Sequence, residues 1–334
     1  MNEFTLLQRL LADVPPQGEG LLCGVGDDCA VLTGSGVRDW LVTADAFLEG
    51  IHFRREWATW AAIGRKAVLA GVSDVAAMGG RPRFCFVTMA IPDDVRTDAV
   101  AELYAGIREA VDGQQMLIAG GDTNRSKRGV ILSLTIVGEV AHGRAIYRRG
   151  ARPGDHVYVT GLLGGSNIGL TALQRRLNPQ TYAAFIKRHF EPAPRVAAAS
   201  WLAATGCLTA MIDVSDGLVA DLGHIAAAGQ VGMRIDAIRV PSFPEAAAVF
   251  AEWGEEPFAG ILASGEEYEL VFTVAGARAE AFRRLLPAGE KTLGHAVTPI
   301  GVVTPGSGIT VVDPVGAPLE LSYHGFVHEF ADGA

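Results

Sequence analysis

Apolar and polar positions along the chain alternate between short strand-like runs and longer helical stretches. Residues 3–12 place apolar side chains at helical spacing, and residues 59–78 form a long Ala-rich helical pattern that stops at Gly79-Gly80. A further helix is predicted from Pro92 to Val111. Short apolar runs predict buried strands at residues 30–33, 39–43, 84–91, 115–119 and 130–140.

The same alternation continues after a polar, basic segment that contains Pro-Gly at residues 144–155. Beyond it, helices are predicted at residues 164–176 and 194–205, and strands at residues 156–160, 210–214, 233–235, 270–274 and 299–303. Strands that alternate with helices in both halves indicate a two-domain α/β (α+β) protein. The predicted domains are residues 1–145 and 146–334.

Composition excludes several classes of protein. The 334 residues are 49% hydrophobic and 19% charged, which is typical of a globular enzyme, and a formal net charge of −9 argues against a nucleic-acid surface. No apolar run reaches the roughly 18 residues of a membrane span. The first residues lack the pattern of a signal peptide, and the four cysteines are too dispersed for a disulfide framework or a zinc site. We therefore expect a cytoplasmic protein with reduced cysteines.

Seven aspartates lie in Gly- and Ala-rich motifs beside apolar runs, with almost no Lys or Arg next to them. They are Asp27, Asp28, Asp45, Asp74, Asp122, Asp213 and Asp216. A buried carboxylate is costly unless it is paired. Mg²⁺ prefers oxygen ligands and is usually held by a few carboxylates together with substrate phosphates. The pattern therefore predicts a metal-dependent phosphoryl-transfer enzyme.

Each motif has an ordinary structural interpretation when it is taken alone. Gly120-Gly121-Asp122 lets backbone N–H groups approach a phosphate, but it is also a common turn. Asp213 and Asp216 also fit a helix N-cap with a solvated face. Five such motifs beside apolar runs are hard to explain as separate caps and turns. Because a pocket of carboxylates repels ATP, two or more Mg²⁺ ions are implied.

Other side chains add little when they are considered one at a time. Arg125 and Arg148 are the candidate cations, although each is compatible with a solvated arginine. His52 and Tyr104 are each compatible with ordinary packing. Motifs for P-loop nucleotide binding, zinc proteases, serine hydrolases and protein kinases are absent. A phosphate site must therefore be built in another way.

The motifs together resemble those of one enzyme family, in order and in approximate spacing. They are GVGDDCAVL, TADAFLEGIHF, SDVAAMGGRP, GGDTNRS, DVSDGLVADLGHI and SGEEYELVFT. This set is similar to the thiamine-monophosphate kinase family, which belongs to the ATP-binding superfamily of aminoimidazole ribonucleotide synthetase and selenophosphate synthetase. The resemblance covers nearly the whole chain.

The resemblance implies phosphorylation of thiamine monophosphate by ATP in one in-line transfer, by a homodimer formed through the N-terminal domain. The implied metal positions are Asp28, Thr43, Asp45, Asp74, Asp122, Asp213 and Asp216. The implied ATP positions are Tyr104, Gly121, Asp122, Arg148 and Ser215. The implied substrate positions are His52, Glu266 and Tyr323. No protein general base is expected, because the acceptor phosphate is largely deprotonated at neutral pH.

The sequence departs from the family pattern at three positions. Ala44 replaces a threonine that can contact metal, and Ser264 and Glu267 replace the glycine and aspartate of SGGEDYE. None removes a carboxylate from the implied metal set, so we expect changes in substrate geometry rather than loss of activity. The alternatives are another ATP-dependent synthetase of the superfamily and a non-catalytic Mg²⁺–nucleotide-binding protein. The reactive Cys with Lys expected of selenophosphate synthetase is not seen.

Overall fold

The computed structural model describes residues 3–321 and residue 325. Its first half, up to residue 141, is a mixed sheet covered by two long helices. The elements are α1 (Glu3–Leu10), β1 (Leu21–Cys23), β2 (Ala30–Thr33), β3 (Arg38–Leu48), α2 (Trp60–Ala77), β4 (Arg81–Ile91), α3 (Thr97–Gly113), β5 (Leu117–Arg125) and β6 (Ile131–Ala141). The strand order is β1-β2-β3-β6-β4-β5, and only the pairing of β4 with β5 is parallel.

The second half forms another six-stranded mixed sheet, in the order β12-β9-β11-β7-β10-β8. Its strands are β7 (His156–Thr160), β8 (Leu208–Asp213), β9 (Gly232–Asp236), β10 (Leu270–Val274), β11 (Val297–Thr304) and β12 (Gly308–Val312). Its helices are α4 (Gly165–Gln174), α5 (Ala183–Phe190), α6 (Val196–Thr205), α7 (Leu218–Gly229), α8 (Ala246–Glu252), α9 (Pro257–Leu262) and α10 (Ala279–Leu293). All five residues of β10 are buried, and the strand is paired on both sides, with β7 and β8.

Helix α2 joins the two halves. It begins after the N-cap Thr59, whose hydroxyl accepts a hydrogen bond from the backbone of Ala62, and most of its 18 residues are buried. Ala76 and Ala77, near its end, pack into a hydrophobic cluster with Leu202 of the second half. Small side chains allow this close approach, so α2 reaches both sheets.

Glycines fix where α2 crosses α3. A methyl group at Gly106 would collide with the carbonyl oxygen of Ala61, and one at Gly64 would collide with that of Leu103. The two helix backbones therefore touch at this crossing. Any larger residue there would push α2 away from α3.

The predicted fold class is confirmed, and the strands predicted at residues 30–33, 156–160 and 270–274 have the predicted bounds. The helix predicted to start at Pro92 is wrong in its beginning, because the chain first makes a turn and the helix starts at Thr97. Helix α5 was not foreseen at all. Its eight residues follow a polar stretch, and its N-cap residue Tyr182 makes no side-chain capping bond.

Two further corrections concern site motifs. β3 was predicted to end at Thr43 but runs to Leu48, so Asp45 lies within a strand rather than after it. Gly121 and Asp122 were predicted in a turn but lie within β5, with a register shift in its pairing to β4 near Cys85. In both motifs, polar residues follow an apolar run, so the sequence pattern predicts that the strand ends there. The backbone hydrogen bonds of the strand nevertheless continue through these polar residues.

Candidate active site

Three carboxylates from different elements meet where the two halves face each other. Asp28 precedes β2, Asp74 lies on α2, and Asp213 ends β8. One ligand atom from each lies within 4.8 Å of the other two. We call Asp28, Asp74 and Asp213 the acidic cluster. Residues separated by up to 185 positions in the sequence thus form one group.

Hydroxyl groups hold two of these carboxylates in place. The Thr43 hydroxyl donates to Oδ2 of Asp74 at 2.6 Å, which joins β3 to α2. The Ser73 hydroxyl donates to Oδ2 of Asp213 at 2.6 Å, which joins α2 to the second half. Ser73 was not singled out from the sequence, although it directly precedes Asp74. Its role becomes apparent only from its contact with Asp213 in the second half of the chain.

Burial and mutual repulsion disfavour the charged form of the acidic cluster. Burial, with the nearby Asp28 carboxylate, raises the pKa of Asp213 to about 7, although Ser73 and Arg148 counteract the shift. Burial also raises the pKa of Asp74 well above its usual value, and the neighbouring carboxylates, Asp45 first among them, add to this shift. Groups of this kind gain most from a bound cation.

One arginine approaches the cluster. Arg148 lies 2.5 Å from Oδ1 of Asp28 through its guanidinium, and its backbone N–H contacts the carboxylate of Asp27 at 3.2 Å. The other oxygen of Asp28, Oδ2, is buried and has no hydrogen-bond partner among the residues that the structure describes. A buried carboxylate oxygen without a donor is rare and costly. Together with the two neighbouring carboxylates, it fits a hard divalent cation.

A cavity of about 730 Å³ opens beside the cluster. Asp45 and Asp74 line it from the first half, and Ser215, Asp216 and Glu266 line it from the second. Its volume is within the range of small-molecule sites. The cavity therefore gathers sequence-predicted metal, ATP and substrate residues from both halves.

His52 lines the same cavity, in a fixed orientation. Its ring stacks on Phe47 with centroids 5.2 Å apart, and its Nδ1 accepts a hydrogen bond from the backbone N–H of Leu48 at 3.0 Å. A neutral ring in this arrangement carries its proton on Nε2. It can donate a hydrogen bond to a ligand, but it is not arranged to remove a proton from one.

A second acidic group supports the loop that carries Ser215 and Asp216. The carboxylate of Asp221, which is 1% exposed, accepts from the backbone N–H groups of Ser215 and Gly217 at 3.1 Å each and of Asp216 at 3.3 Å. Ligand atoms of Asp216, Asp221 and His224 also lie within 4.8 Å of one another. Sequence reasoning missed Asp221, although it follows Asp216 by only five residues, in the first turn of α7.

Three implied residues lie away from this group. Asp122, Gly121 and Tyr104 are not among the described residues that line the cavity. Asp122 is exposed on the edge strand β5, and its carboxylate accepts from the side chain of Asn124 at 2.7 Å. Strand pairings place it level with Ala46 but three strands away, which is about 14 Å.

The three departures have clear positions. Ala44 lies on the opposite face of β3 from Thr43 and Asp45, because side chains alternate along a strand. Ser264 and Glu267 are both buried, and the serine hydroxyl donates to the glutamate Oε1 at 2.7 Å. The two replacements therefore pair with each other. Tyr323, the remaining implied substrate contact, lies outside the described residues.

Two expectations about the environment have different outcomes. The four cysteines are free and buried, as predicted. Within residues 3–321 and 325, no helix combines the length and apolar character required to cross a bilayer. The cytoplasmic location stays a prediction.

Comparison with known proteins identifies the family to which this chain belongs. The AIR synthase related protein N-terminal domain model matches residues 26–140, and its C-terminal counterpart matches residues 152–314. Thiamine-monophosphate kinase of Bacillus subtilis is 34% identical over 91% of each chain, and that of Escherichia coli K12 is 34% identical over 98% of each chain. This chain belongs to the thiamine-monophosphate kinase family.

A solved family structure also matches in three dimensions. The complex of AaThiL with AMPPCP and TMP superposes with a TM-score of 0.82, at 30% identity, over 98% of this chain and 97% of the other. The match extends over both sheets. The family resemblance found in the motifs is therefore confirmed along the chain and in the fold.

Proposed function

We propose that this protein transfers the terminal phosphoryl group of ATP to the phosphate of thiamine monophosphate (TMP), which gives thiamine diphosphate. The observation that carries the proposal is the acidic cluster beside the cavity, in a chain 34% identical to thiamine-monophosphate kinases. A solved relative with a TM-score of 0.82 binds AMPPCP and TMP. AMPPCP is an analogue of ATP, so both proposed substrates have counterparts there.

The proposed cofactor is Mg²⁺, in more than one copy. The acidic cluster would hold it together with Asp45, Asp216 and the hydroxyl of Thr43, and the unpartnered Oδ2 of Asp28 supports this assignment. When bound, Mg²⁺ neutralises phosphate charge and orients the phosphate oxygens.

The side chains of this chain would contribute binding and alignment. Arg148 is close to Asp28 and would meet the polyphosphate of ATP as a fixed cation. Ser215, whose backbone is held by Asp221, would meet ATP from the opposite wall. His52 would donate from Nε2 to the acceptor. No side chain needs to remove a proton, because a phosphate monoester with a second pKa near 6 is already largely ionised.

Asp122, Gly121 and Tyr104 would complete the site from a second copy of the chain. Strand β5 is an open edge, and large apolar side chains are exposed near it, with Leu117 66%, Phe86 39% and Ile131 38% exposed. Exposed strand edges with apolar side chains favour pairing. A symmetric dimer through this edge would bring Asp122 of one copy towards the acidic cluster of the other.

Turnover with ATP and TMP in the presence of Mg²⁺ tests the activity directly. Formation of thiamine diphosphate supports the proposal. ATP and TMP that bind without turnover would instead indicate a non-catalytic binding protein. The same assay without added metal, in the presence of a chelator, tests the assignment of Mg²⁺.

Mixing two inactive variants tests the shared site. Asp45→Asn and Asp122→Asn should each be nearly inactive. In an equal mixture of exchanging subunits, half the dimers are mixed and each keeps one intact site, so about a quarter of wild-type activity should return. No recovery, although exchange is shown by differently tagged subunits, would mean that both aspartates act within one copy. A monomer in sedimentation at micromolar concentration would contradict the dimer.

A further inference from the structure

Helix α2 carries a lysine that is buried between the two halves of the chain. The side chain of Lys66 is 1% exposed and does not line the cavity. Its Nζ lies 2.7 Å from Oε1 of Glu266 and donates to Nε2 of His189 at 3.0 Å. Within the described residues, both partners belong to the second half. Burying a lysine is costly unless its charge is paired, so this contact is a specific link between the halves.

Glu266 is held by Lys66 on one side and faces the cavity on the other. Its side chain is 24% exposed and lines the cavity beside Ser215. Its backbone is left-handed, with φ of 54°, and its N–H donates to the carbonyl of Ser215 at 2.7 Å. A non-glycine residue in this region persists only where its surroundings fix it. The carboxylate is therefore oriented by contacts rather than by local preference.

His189 accepts a hydrogen bond from the lysine, whose pKa is lowered by burial and raised by the neighbouring Glu266 carboxylate. Burial lowers the pKa of His189 to about 3, and the charge of Lys66 adds to this shift, so the ring is neutral. With Nε2 accepting from Lys66, the ring proton is on Nδ1 and is donated to the hydroxyl of Ser166 at 3.0 Å. Nδ1 of His189 also lies 3.5 Å from Oε2 of Glu266, while Nζ of Lys66 contacts Oε1 of the same carboxylate. The two side chains therefore hold both oxygens of Glu266 from the same side.

The same helix also holds the acidic cluster. Ser73, which donates to Asp213, follows Lys66 by seven residues, or two turns, so the two side chains share one face of α2 about 10.5 Å apart. One rigid element thus contacts Asp213 and Glu266 at a set separation.

We infer that Lys66 is a positioning residue for the acceptor: it fixes the carboxylate of Glu266 at the cavity wall, where that carboxylate meets the cationic thiamine part of TMP. The inference rests on the proposed function. Glu266 supplies an anion opposite a permanently charged thiazolium. Lys66 touches neither substrate. Its loss should therefore weaken TMP binding while ATP binding is preserved.

Lys66→Met tests this role, because methionine nearly matches the apolar stem and removes the charge. It is compared with Glu266→Gln, the double variant, and Arg195→Met as a control that disrupts a neighbouring buried ion pair with Glu269. Titration of TMP and of AMPPCP, each with Mg²⁺, is combined with steady-state kinetics. A charged hydrogen bond corresponds to roughly ten- to hundredfold in binding, so Lys66→Met should raise the Kd and KM for TMP at least about tenfold.

The control variant and the double variant decide between positioning and packing. In Lys66→Met, the Kd for AMPPCP should stay within about twofold of the wild-type value. The double variant should bind TMP no worse than Glu266→Gln does, because both changes act on the same carboxylate. Arg195→Met should lower the melting temperature without changing the affinity for TMP. Unchanged TMP affinity in Lys66→Met, or losses that multiply in the double variant, would overturn the inference.

Two further outcomes are separated by the same measurements. If Lys66→Met does not fold, Lys66→Gln, which keeps a donor, should show the same selective loss for TMP to a smaller extent; equal losses for TMP and AMPPCP would overturn the inference. A wild-type protein that binds AMPPCP but not TMP would instead overturn the proposed function.

Discussion

The protein contains two sets of buried or partly buried carboxylates, which differ in how fully they are paired with cations. In the acidic cluster, Arg148 pairs with Asp28, and Oδ2 of Asp28 has no hydrogen-bond partner within the described part of the chain. In the segment that ends at the start of β10, by contrast, Glu266, Glu267 and Glu269 are each matched by a cation. These cations are Lys66, Arg188 and Arg195.

The difference separates carboxylates that bind from carboxylates that hold the fold together. A fully paired buried acid is satisfied by the protein itself, whereas an under-paired cluster retains repulsion that bound protons or an added cation relieve. Glu266 lies between the two types, because it is paired with Lys66 and still faces the cavity. Charge balance, rather than burial, therefore distinguishes the proposed metal site.

The largest expected effect follows removal of a charge from the acidic cluster. Asp213→Asn or Asp74→Asn should lower kcat by roughly 10³-fold or more, because metal stabilisation of the transferred group amounts to several kcal/mol. The fold should persist, since the change relieves repulsion. Turnover and melting temperature are measured together.

Asp39→Asn is the matched control for that experiment. Asp39 is equally buried on β3, but its carboxylate is partnered by His142 and by the backbone of Gly143. This variant should lose stability and keep its turnover per folded molecule. If the cluster variants keep near-normal turnover, the assignment of the metal site is wrong.

Removing the charge of Glu269 from the paired carboxylates Glu266, Glu267 and Glu269 should lower stability rather than turnover. Glu269→Gln removes the negative charge that Arg188 and Arg195 share, and loss of one partner of a buried ion pair costs about 3 kcal/mol or more. We expect a lower midpoint in urea unfolding, with kcat per folded molecule close to wild type. A large fall in kcat without a fall in stability would mean that this set also takes part in binding.

The pH dependence of stability should reveal the repulsion in the acidic cluster. The pKa of Asp213 is about 7 and that of Asp27 about 6 in the folded protein, against an ordinary aspartate value of about 3.9 in an unfolded chain. Between about pH 4 and pH 7 the folded state therefore holds protons that the unfolded chain has released. The contribution of these two aspartates to the stability of the metal-free protein falls as the pH rises through this window. His189 and His224, whose pKa values are lowered to about 3 and about 4, act in the opposite direction below about pH 6.5.

Melting temperatures from pH 5 to pH 8, with a chelator and with Mg²⁺, check this expectation. Mg²⁺ should stabilise most at the upper end, where it replaces the lost protons. Asp213→Asn should flatten the metal-free profile. A metal-free profile that is level or rises towards pH 8 would show that the carboxylates are already compensated within the protein.

The smallest expected effect is that of His52→Ala. Because Nδ1 of His52 already accepts from the backbone of Leu48, the ring can position the substrate but not act as a general base. We expect a higher KM for TMP and a fall in kcat of less than about tenfold, below the 10²–10⁴-fold of general-base removal. Single-turnover rates against pH at saturating substrate provide the test. Loss of a basic limb near pH 6.5 together with a loss of about 10³-fold would contradict the mechanism.

The sequence predicted the acidic residues of this site better than the residues that hold them in place. The aspartates were visible because acidic residues beside apolar runs are unusual, and their motifs identified the family. Ser73, Lys66 and Asp221 were not visible as site residues. Each acts through a contact that depends on how distant segments pack, such as Ser73 with Asp213, which are 140 residues apart.

Strand ends were also poorly predicted where function places polar residues in strands. Asp45 and Asp122 looked like turn residues because hydrophobic patterning stops before them, whereas β3 and β5 continue. The distance of Asp122 from the acidic cluster within one copy could not be predicted either. It depends on the order of strands in the sheet, which local patterning does not encode.

The face of α2 that carries Lys66 and Ser73 constrains how this chain can change during evolution. Insertion or deletion of one residue between them would rotate one contact by about 100° relative to the other and shift it by about 1.5 Å. Either Glu266 or Asp213 would then lose its donor. Length changes in the family should therefore accumulate in surface loops, and the seven-residue interval in this helix should be kept even where its amino acids differ.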